Sequence, residues 1–281
     1  MKTTIKCGIL GAMVMGSRAA SATPVPLPFT YPYETLQKGE GEDELYGDMI
    51  PLRVNGPATG TLGNQPAATT PRLWEPRYVL QNELEYGVTD RVELAWYQVF
   101  EASPQNGGGN AMTFDGFKYR ARVRLAEAGQ WPVDVALYFE LETLHDEMSL
   151  EEKVILAKRF GAFHWMANLW VEQELNRPWD DAQRNGDFVI NPTMGITYEV
   201  APWFQPGIED WARGTFGGSR PSQIDVDNAR VHDFVGPTVH FDWGKLWFSM
   251  GAYVNCNDVN KPELGAAYGP IWIRTLLGIT L

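Results

Sequence analysis

The stretch GFKYRARVRLAEAGQWPVDVALYFELE, residues 116–142, alternates apolar and charged side chains on either side of a break that contains Gly129. Before the break, basic residues occupy every second position. After it, Asp134, Glu140 and Glu142 continue the alternation with the opposite charge. A period of two is that of a β-strand whose faces meet different environments. The stretch therefore predicts a hairpin that is apolar on one face and charged on the other.

The same alternation recurs from about residue 40 to the end of the chain and predicts an all-β fold. Most of the predicted strands are close to the roughly ten residues that a tilted strand needs to cross a bilayer. The twelve predicted strands are 40–53, 73–86, 92–101, 114–125, 133–142, 151–159, 163–175, 188–200, 204–213, 229–241, 245–255 and 268–281.

The connections between the predicted strands alternate in length, and this alternation indicates how the strands are threaded. The short ones are 87–91, 126–132, 160–162, 201–203 and 242–244, and the long ones are 54–72, 102–113, 143–150, 176–187, 214–228 and 256–267. Outer-membrane barrels have short periplasmic turns and longer outer loops, whereas a soluble sandwich has no reason to sort its loops in this way. We therefore predict a closed antiparallel transmembrane β-barrel of about 12 strands, with both termini in the periplasm of a Gram-negative bacterium.

The first 22 residues have a basic start, a brief apolar run and a small-x-small site at Ala20-Ser21-Ala22, which is typical of a secretory signal peptide. Its removal leaves 20 basic against 35 acidic residues, a formal charge of −15, and excludes nucleic acid as an expected partner. It also leaves Cys256 as a lone cysteine, so we expect no internal disulfide. We expect residues 23–39 to form a periplasmic lead-in and residues 40–281 to form the barrel.

The charged face of these strands is expected to line the lumen. A Lys or Arg at mid-bilayer on the lipid face costs about 2–4 kcal/mol, so the basic side chains must point inward. The side chains predicted to line the lumen are Lys118, Arg120, Arg122, Arg124, Glu83, Glu85, Glu93, Asp134, Glu140 and Glu142. Two interpretations remain open: an ion-pair network that fills a narrow barrel and fixes its register, or a constriction that filters small polar or charged solutes.

Specific ion pairs follow if residues 126–132 form the turn. The expected pairs are Lys118 with Glu140 or Glu142, and Arg122 or Arg124 with Asp134. Glu85 and Glu93 would lie almost opposite one another, and like charges in that position repel. Arg122 and Arg124, on the next strand, are the cations expected to neutralise them.

Aromatic side chains share the inward parity of the charges. They are Tyr97, Tyr138, Trp170, Trp211, Trp247, Tyr253 and Trp272. They would serve either as a sliding surface for an aromatic or apolar solute or as simple filler of the lumen.

A resemblance to a known group of proteins is carried by NELEYGVTDRVELAWYQVF (82–100), a strand, a turn and a strand. YPYETLQKGEGEDEL (31–45) and GPTVHFDWGKLWFSMGAY (236–253) have the same character. These segments resemble a broad group of Gram-negative outer-membrane β-barrels, some labelled as meta-pathway phenol-degradation or transporter-like proteins. The resemblance implies a barrel and no particular activity. The final Leu281 departs from the terminal Phe or Trp that is usual in outer-membrane proteins.

Some residues could in principle support catalysis or metal binding. His145 lies next to Asp146 and four residues before Ser149, and His232 precedes Asp233, but no spacing guarantees a Ser/His contact. The acids of residues 225–228 and the pair at 180–181 lack the spacing and the Gly of a calcium loop. We therefore expect no catalytic residue, no cofactor and no metal.

The favoured function is a narrow pore or binding barrel for a small solute. The alternatives are a closed structural or surface-interaction barrel without transport and, with less support, a lipid hydrolase with its site at the outer rim. The expected partners are outer-membrane lipid, the barrel-assembly machinery during biogenesis and a small-molecule solute.

Overall fold

The computed structural model describes residues 24–55, 72–103, 111–145, 147–176, 187–217, 225–257 and 268–281. The predicted signal peptide, residues 1–22, and the acids at 180–181 lie outside the described residues. The regular structure of the described chain is antiparallel β-sheet. None of its segments is a helix long and apolar enough to cross a membrane.

The strands are long, and their bounds agree with most of the predicted ones. They are β1 (Gly41–Asn55), β2 (Arg72–Thr89), β3 (Val92–Ala102), β4 (Thr113–Arg124), β5 (Asp134–Leu144), β6 (Glu147–Phe160), β7 (Phe163–Asn176), β8 (Asp187–Ile190), β9 (Thr193–Tyr198), β10 (Phe204–Gly217), β11 (Asp225–Asp242), β12 (Leu246–Asn255) and β13 (Ile271–Thr280).

The sheet closes on itself. Strand β1 pairs antiparallel with β2 on one side and with β13 on the other, so that Leu45 lies opposite both Asn82 and Leu277. Strands β8 and β9 both lie between β7 and β10, and they are two halves of one strand. The protein is therefore a closed antiparallel barrel of 12 strands, as predicted.

The interruption between β8 and β9 coincides with Asn191-Pro192. Proline has no N–H to donate to a strand ladder, so it breaks the regular pattern there. The flanking bonds continue across the break, because the Asn191 amide donates to the Trp170 carbonyl at 2.9 Å and the Ala212 amide donates to the Pro192 carbonyl at 3.0 Å. The strand predicted at 188–200 is thus one strand with a local defect.

Alternate side chains point to the two sides of the barrel wall. In β5, Ala136, Tyr138 and Glu140 are buried, whereas Phe139 and Leu141 are exposed on the outer face. Exposed apolar side chains recur on the outer face of the other strands. Every backbone group of a closed barrel is paired internally, so such an apolar outer face can contact hydrocarbon. The fold is that of a transmembrane barrel.

The short connections are tight turns. Gly161 and Gly244 have φ angles of 62° and 91° in two of them, a region that glycine enters without steric cost. The long connection predicted at 143–150 is wrong, because β5 extends to Leu144 and β6 begins at Glu147. Strand β6 begins earlier than predicted because Ser149 already faces the lumen and Leu150 already faces outward, which continues the alternation of the strand. The other predicted long connections lie mainly outside the described residues.

The segment that precedes β1 lies inside the barrel. We call residues 24–36 the N-terminal segment. Leu27, Phe29, Tyr33 and Leu36 are all buried in it. It has no strand of its own and packs against side chains from several strands of the wall. The sequence analysis placed this stretch before the barrel and did not foresee its course through the lumen.

The two faces of β5 generate a test of the barrel. Leu137→Arg places a charge on the lipid face, at a cost of about 2–4 kcal/mol near mid-bilayer, and should reduce the fraction of protein that assembles in the outer membrane. Tyr138→Phe changes the neighbouring lumen position and should assemble normally. Assembly is measured as the heat-modifiable band in outer-membrane fractions on detergent gels. Equal yields of the two variants would contradict the assignment of faces.

Candidate functional site

The lumen contains a buried ion cluster centred on Arg120 of β4. Its guanidinium contacts the carboxylates of Glu83, Glu85 and Glu93, with an Nη1–Oε1 distance of 3.1 Å to Glu83. The four side chains are within 2 % of complete burial. Arg122 adds a second cation, with its Nη2 2.8 Å from Glu93 Oε1. The arrangement pairs charges that could not be buried singly, since an unpaired buried charge is very costly.

Strand register places these groups together. Glu93 lies directly opposite Arg122, and Arg120 lies opposite Ala95, whose small side chain leaves room for the guanidinium. Two tyrosine rings pack against the Arg120 guanidinium. Its Cζ lies 5.6 Å from the ring centre of Tyr31 and 5.9 Å from that of Tyr97. At these distances a ring face attracts a cation.

Two lysines extend the network along β4 to β7. Lys118 lies opposite Glu142 and ion-pairs with both Glu142 and Glu140, as the sequence predicts. Lys153 pairs with Glu151 at 2.5 Å, and its Nζ lies 3.8 Å from the ring centre of Trp170. The charged lumen therefore continues as alternating acids and bases around half of the wall.

Two of the predicted charges lie elsewhere. Arg124 ion-pairs with Glu127 and donates to the Asp90 carbonyl, and Asp134 accepts from the Gly129 amide. Both residues flank the 126–132 turn, at the rim. The predicted contact of Arg124 with Glu85 and Glu93 is wrong, because Arg124 is one register step too close to the turn. Arg120 takes that place.

The structure places the remaining predicted lumen residues inside the barrel. Buried there are Glu83, Glu85, Glu93, Arg120, Arg122, Glu140, Glu142, Tyr97, Tyr138, Trp211, Trp247, Tyr253 and Trp272, while Lys118 and Trp170 are partly exposed to the cavity described below. The charges and aromatic residues are not separate surfaces, since Tyr97 and Tyr138 both pack beside Arg120.

Hydrogen bonds from lumen side chains hold the backbone of the N-terminal segment. Asn168 accepts from the Tyr31 amide at 2.7 Å and donates to the Tyr31 carbonyl at 3.1 Å. Glu209 accepts from the Phe29 amide at 3.0 Å, and Glu93 accepts from the Leu36 amide at 2.7 Å. Since this segment has no strand partner, these polar side chains satisfy its buried backbone groups.

Side chains of the N-terminal segment fill the middle of the lumen. Phe29 stacks on Trp211 with ring centres 4.4 Å apart, and Arg274 lies 3.8 Å above the Phe29 ring. Leu27 packs against Gly195, where an added Cβ would come within 2.6 Å of a Leu27 methyl group. The lumen aromatics thus pack against the chain's own N-terminal segment.

A cavity of about 690 Å³ lies at the end of the lumen away from the short turns, and we call it the loop-end cavity. Among the described residues, its wall contains nine carboxylates and four Lys or Arg side chains, an acidic excess. The carboxylates are those of Asp48, Glu101, Asp115, Glu142, Glu147, Glu151, Glu172, Glu174 and Asp187, and the cations are Arg77, Lys118, Arg213 and Arg274.

The sequence analysis missed several of these groups. Arg274 makes two bonds of 2.7 Å to Asp48, and Arg213 ion-pairs with Glu172 and Glu174. Their inward orientation could have been predicted, because each lies on the inward parity of its strand. The prediction of ion pairs was confined to the strands around residues 116–142.

Among the described residues, His145 and Ser149 do not come together in the way that a rim hydrolase requires. His145 is exposed in the β5–β6 turn, whereas Ser149 is buried in the lumen. His240 Nδ1 lies 2.8 Å from Ser249 Oγ, but that hydroxyl donates to the Val25 carbonyl at 2.6 Å. The Ser249 hydroxyl thus serves to hold the N-terminal segment.

Comparison with known structures agrees with the fold. The chain is similar to the COG4313 outer membrane channel from Pseudomonas putida F1, with a TM-score of 0.59, 13% identity, and 89% of this chain and 98% of that chain covered. Weaker likenesses are to OmpT of Vibrio cholerae (TM-score 0.38, 7% identity, 86% and 98% covered) and to the channel DcaP of Acinetobacter baumannii (TM-score 0.34, 8% identity, 86% and 96% covered). No protein-family model matches, and no curated protein matches. The fold is therefore that of an outer-membrane β-barrel.

The buried cluster gives a stability prediction. Arg120→Gln leaves three buried carboxylates without their shared cation and should lower the free energy of unfolding in detergent by about 3–5 kcal/mol. Adding Glu83→Gln should restore part of the loss. Arg124→Gln is the matched control at the rim, where an exposed pair contributes about 1 kcal/mol or less. Equal effects of the two single substitutions would mean that water reaches Arg120 freely.

Proposed function

We propose that the protein is a narrow outer-membrane pore that takes a small solute into the loop-end cavity. The observation that carries this proposal is the cavity itself, about 690 Å³ of space that opens among charged and aromatic side chains. That volume is in the range of small-molecule sites. A barrel with a purely structural role has no need of such a space.

The wall of the cavity indicates the charge of the solute. Several of its acids are held by Arg77, Arg213 and Arg274, and the remaining carboxylates leave a negative excess. Trp170, Tyr268 and Trp272 add aromatic faces to the same wall. We propose that small cationic solutes, with or without an apolar part, enter in preference to anions.

Passage beyond the cavity requires the N-terminal segment to move. Phe29 contacts Trp272 and Arg274, which line the cavity, so the segment packs directly behind the cavity wall. A closed structural barrel remains the second candidate, and the hydrogen bonds of the segment to Asn168, Glu209 and Glu93 favour it. The two candidates differ in whether these bonds open under working conditions.

We propose an orientation for the barrel in the outer membrane from its fold and from the alternating short and long connections between its strands. We propose that the short turns face the periplasm, as is usual in such barrels, which would put both termini there and the loop-end cavity toward the outside. Lipid and the barrel-assembly machinery are then the partners of the outer face. As part of the same proposal, the protein belongs to the group of phenol-degradation or transporter-like barrels and does not catalyse a reaction.

Single-channel recording in planar bilayers tests the pore. Asn168→Ala removes both hydrogen bonds to the Tyr31 backbone, so it should increase the open probability or conductance at least twofold by loosening the N-terminal segment. Asn82→Ala is the matched control, because Asn82 bonds to Asp43 instead of to the segment. Currents should be cation-selective, and Glu172→Gln with Glu174→Gln should reduce that selectivity.

Two other outcomes of these recordings would contradict parts of the proposal. A wild-type protein and an Asn168→Ala variant that both carry no current would support the closed barrel. A current with anion preference would contradict the role assigned to the acidic wall.

A further inference from the structure

Three buried carboxylates converge at the junction of β1 and β2. Glu42 and Glu44 lie on the same face of β1, and Glu85 of β2 is directly opposite Glu42. Their residues are 0–4 % exposed, and one carboxylate oxygen of each lies within 4.8 Å of the others. Backbone register brings Glu42 and Glu85 to directly opposite positions. Like charges in directly opposite positions repel unless something neutralises them.

The partners of these carboxylates leave oxygens for a further ligand. Tyr46 donates its hydroxyl to Glu44 Oε2 at 2.6 Å, and the Trp247 indole donates to Glu42. Both donors are neutral. Glu44 Oε1 and Glu85 Oε2 are buried and have no hydrogen-bond partner among the described residues. A buried carboxylate oxygen without a donor or cation is strongly unfavourable.

The two nearby arginines are shared among several carboxylates. Arg120 contacts Glu83, Glu85 and Glu93, and Arg122 contacts Glu93. The neighbouring charges that act most strongly on Glu44 are themselves carboxylates, those of Glu42, Glu83 and Glu85. Among the described side chains of this end of the lumen, five carboxylates therefore face two guanidinium groups.

We propose that Glu42, Glu44 and Glu85 bind a divalent cation of the calcium type. Calcium takes oxygen ligands at about 2.3–2.6 Å, and carboxylates supply one or two oxygens each. Two ligand oxygens on opposite sides of such an ion lie up to about 5 Å apart, which matches the spacing of the three carboxylates. This proposal departs from the sequence-based expectation of no metal, and it does not depend on whether the barrel conducts.

A second acidic triad in the same barrel provides an internal contrast. Glu147, Glu172 and Glu174 also bring their oxygens within 4.8 Å of one another. There Arg213 contacts Glu172 and Glu174, so the chain supplies its own cation. In the triad of Glu42, Glu44 and Glu85, Arg120 contacts Glu85 but is shared with Glu83 and Glu93. Glu44 there keeps one oxygen without a hydrogen-bond partner among the described residues.

The ion would join the barrel wall to the N-terminal segment. It bridges β1 to β2, and its ligand Glu44 holds the Tyr46 hydroxyl. Tyr46 packs in one apolar cluster with Val25 of the N-terminal segment and with Trp247. Binding would therefore stabilise the first strand together with the start of the segment that fills the lumen.

Terbium luminescence tests the site with a metal probe alone. Terbium(III) occupies calcium sites and emits when a tryptophan within a few ångströms is excited, and the Trp247 indole bonds directly to one ligand. Purified full-length barrel in detergent should show sensitised emission that calcium competes away. Trp247→Phe should lose most of this emission, whereas Trp170→Phe, beside the second triad, should retain it. The reverse pattern, or emission that calcium does not displace, would overturn the proposal.

Direct calcium binding supplies the second measurement. Equilibrium dialysis with radioactive calcium should give one ion per chain for the wild type and for Glu174→Gln, and at least a tenfold weaker affinity for Glu44→Gln. Calcium should also raise the unfolding temperature of the wild type by several degrees over that in chelator. No bound calcium and no shift in the wild type would show that protons neutralise the triad, and the proposal would be wrong.

Discussion

The pairing of buried charges inside the barrel is the constraint on which the rest of the structure depends. Arg120 of β4 reaches across the wall to two neighbouring strands and contacts Glu93 of β3 and Glu83 and Glu85 of β2 at once. A charge on the outer face would meet hydrocarbon, so the strands must turn these groups inward. Once inside, each must find a partner, because a lone buried charge costs far more than one pair contributes. The inward charges thereby fix which face of each strand looks in, and hence the register of the barrel.

The N-terminal segment uses the same polar wall. Glu93 serves twice, as a partner of both arginines and as acceptor for the Leu36 amide. Asn168 and Glu209 act on the segment in the way that a neighbouring strand would, by satisfying backbone groups. The segment therefore does not have to form a strand in order to fill the lumen. Because it joins no strand ladder, it tolerates four prolines, which have no N–H to donate: Pro24, Pro26, Pro28 and Pro32. The N-terminal segment packs in the centre of the lumen, and the loop-end cavity lies beyond it.

Much of the barrel could be predicted from the sequence, since alternation of period two reports directly on the two faces of a strand. The pairing of Lys118 with Glu140 and Glu142 could be predicted because it depends only on the 126–132 turn and on the register of the two strands that flank it. The position of Arg124 could not, because the β3–β4 register pairs Glu93 with Arg122, and Arg124 lies two residues nearer the rim. Segment 24–36 has no alternation, and its burial depends on Asn168, Glu209 and Glu93, which are far apart in the sequence. The convergence of Glu42, Glu44 and Glu85 likewise depends on the β1–β2 register.

The central claim is that the lumen wall holds the N-terminal segment by specific hydrogen bonds. Hydrogen exchange of the intact protein in lipid, followed by mass spectrometry, tests this directly. The amides of Phe29, Tyr31 and Leu36 donate to buried side chains, so peptides that cover them should be protected as strongly as peptides from the barrel strands. Exchange of these peptides within seconds, while the strands remain protected, would contradict the account.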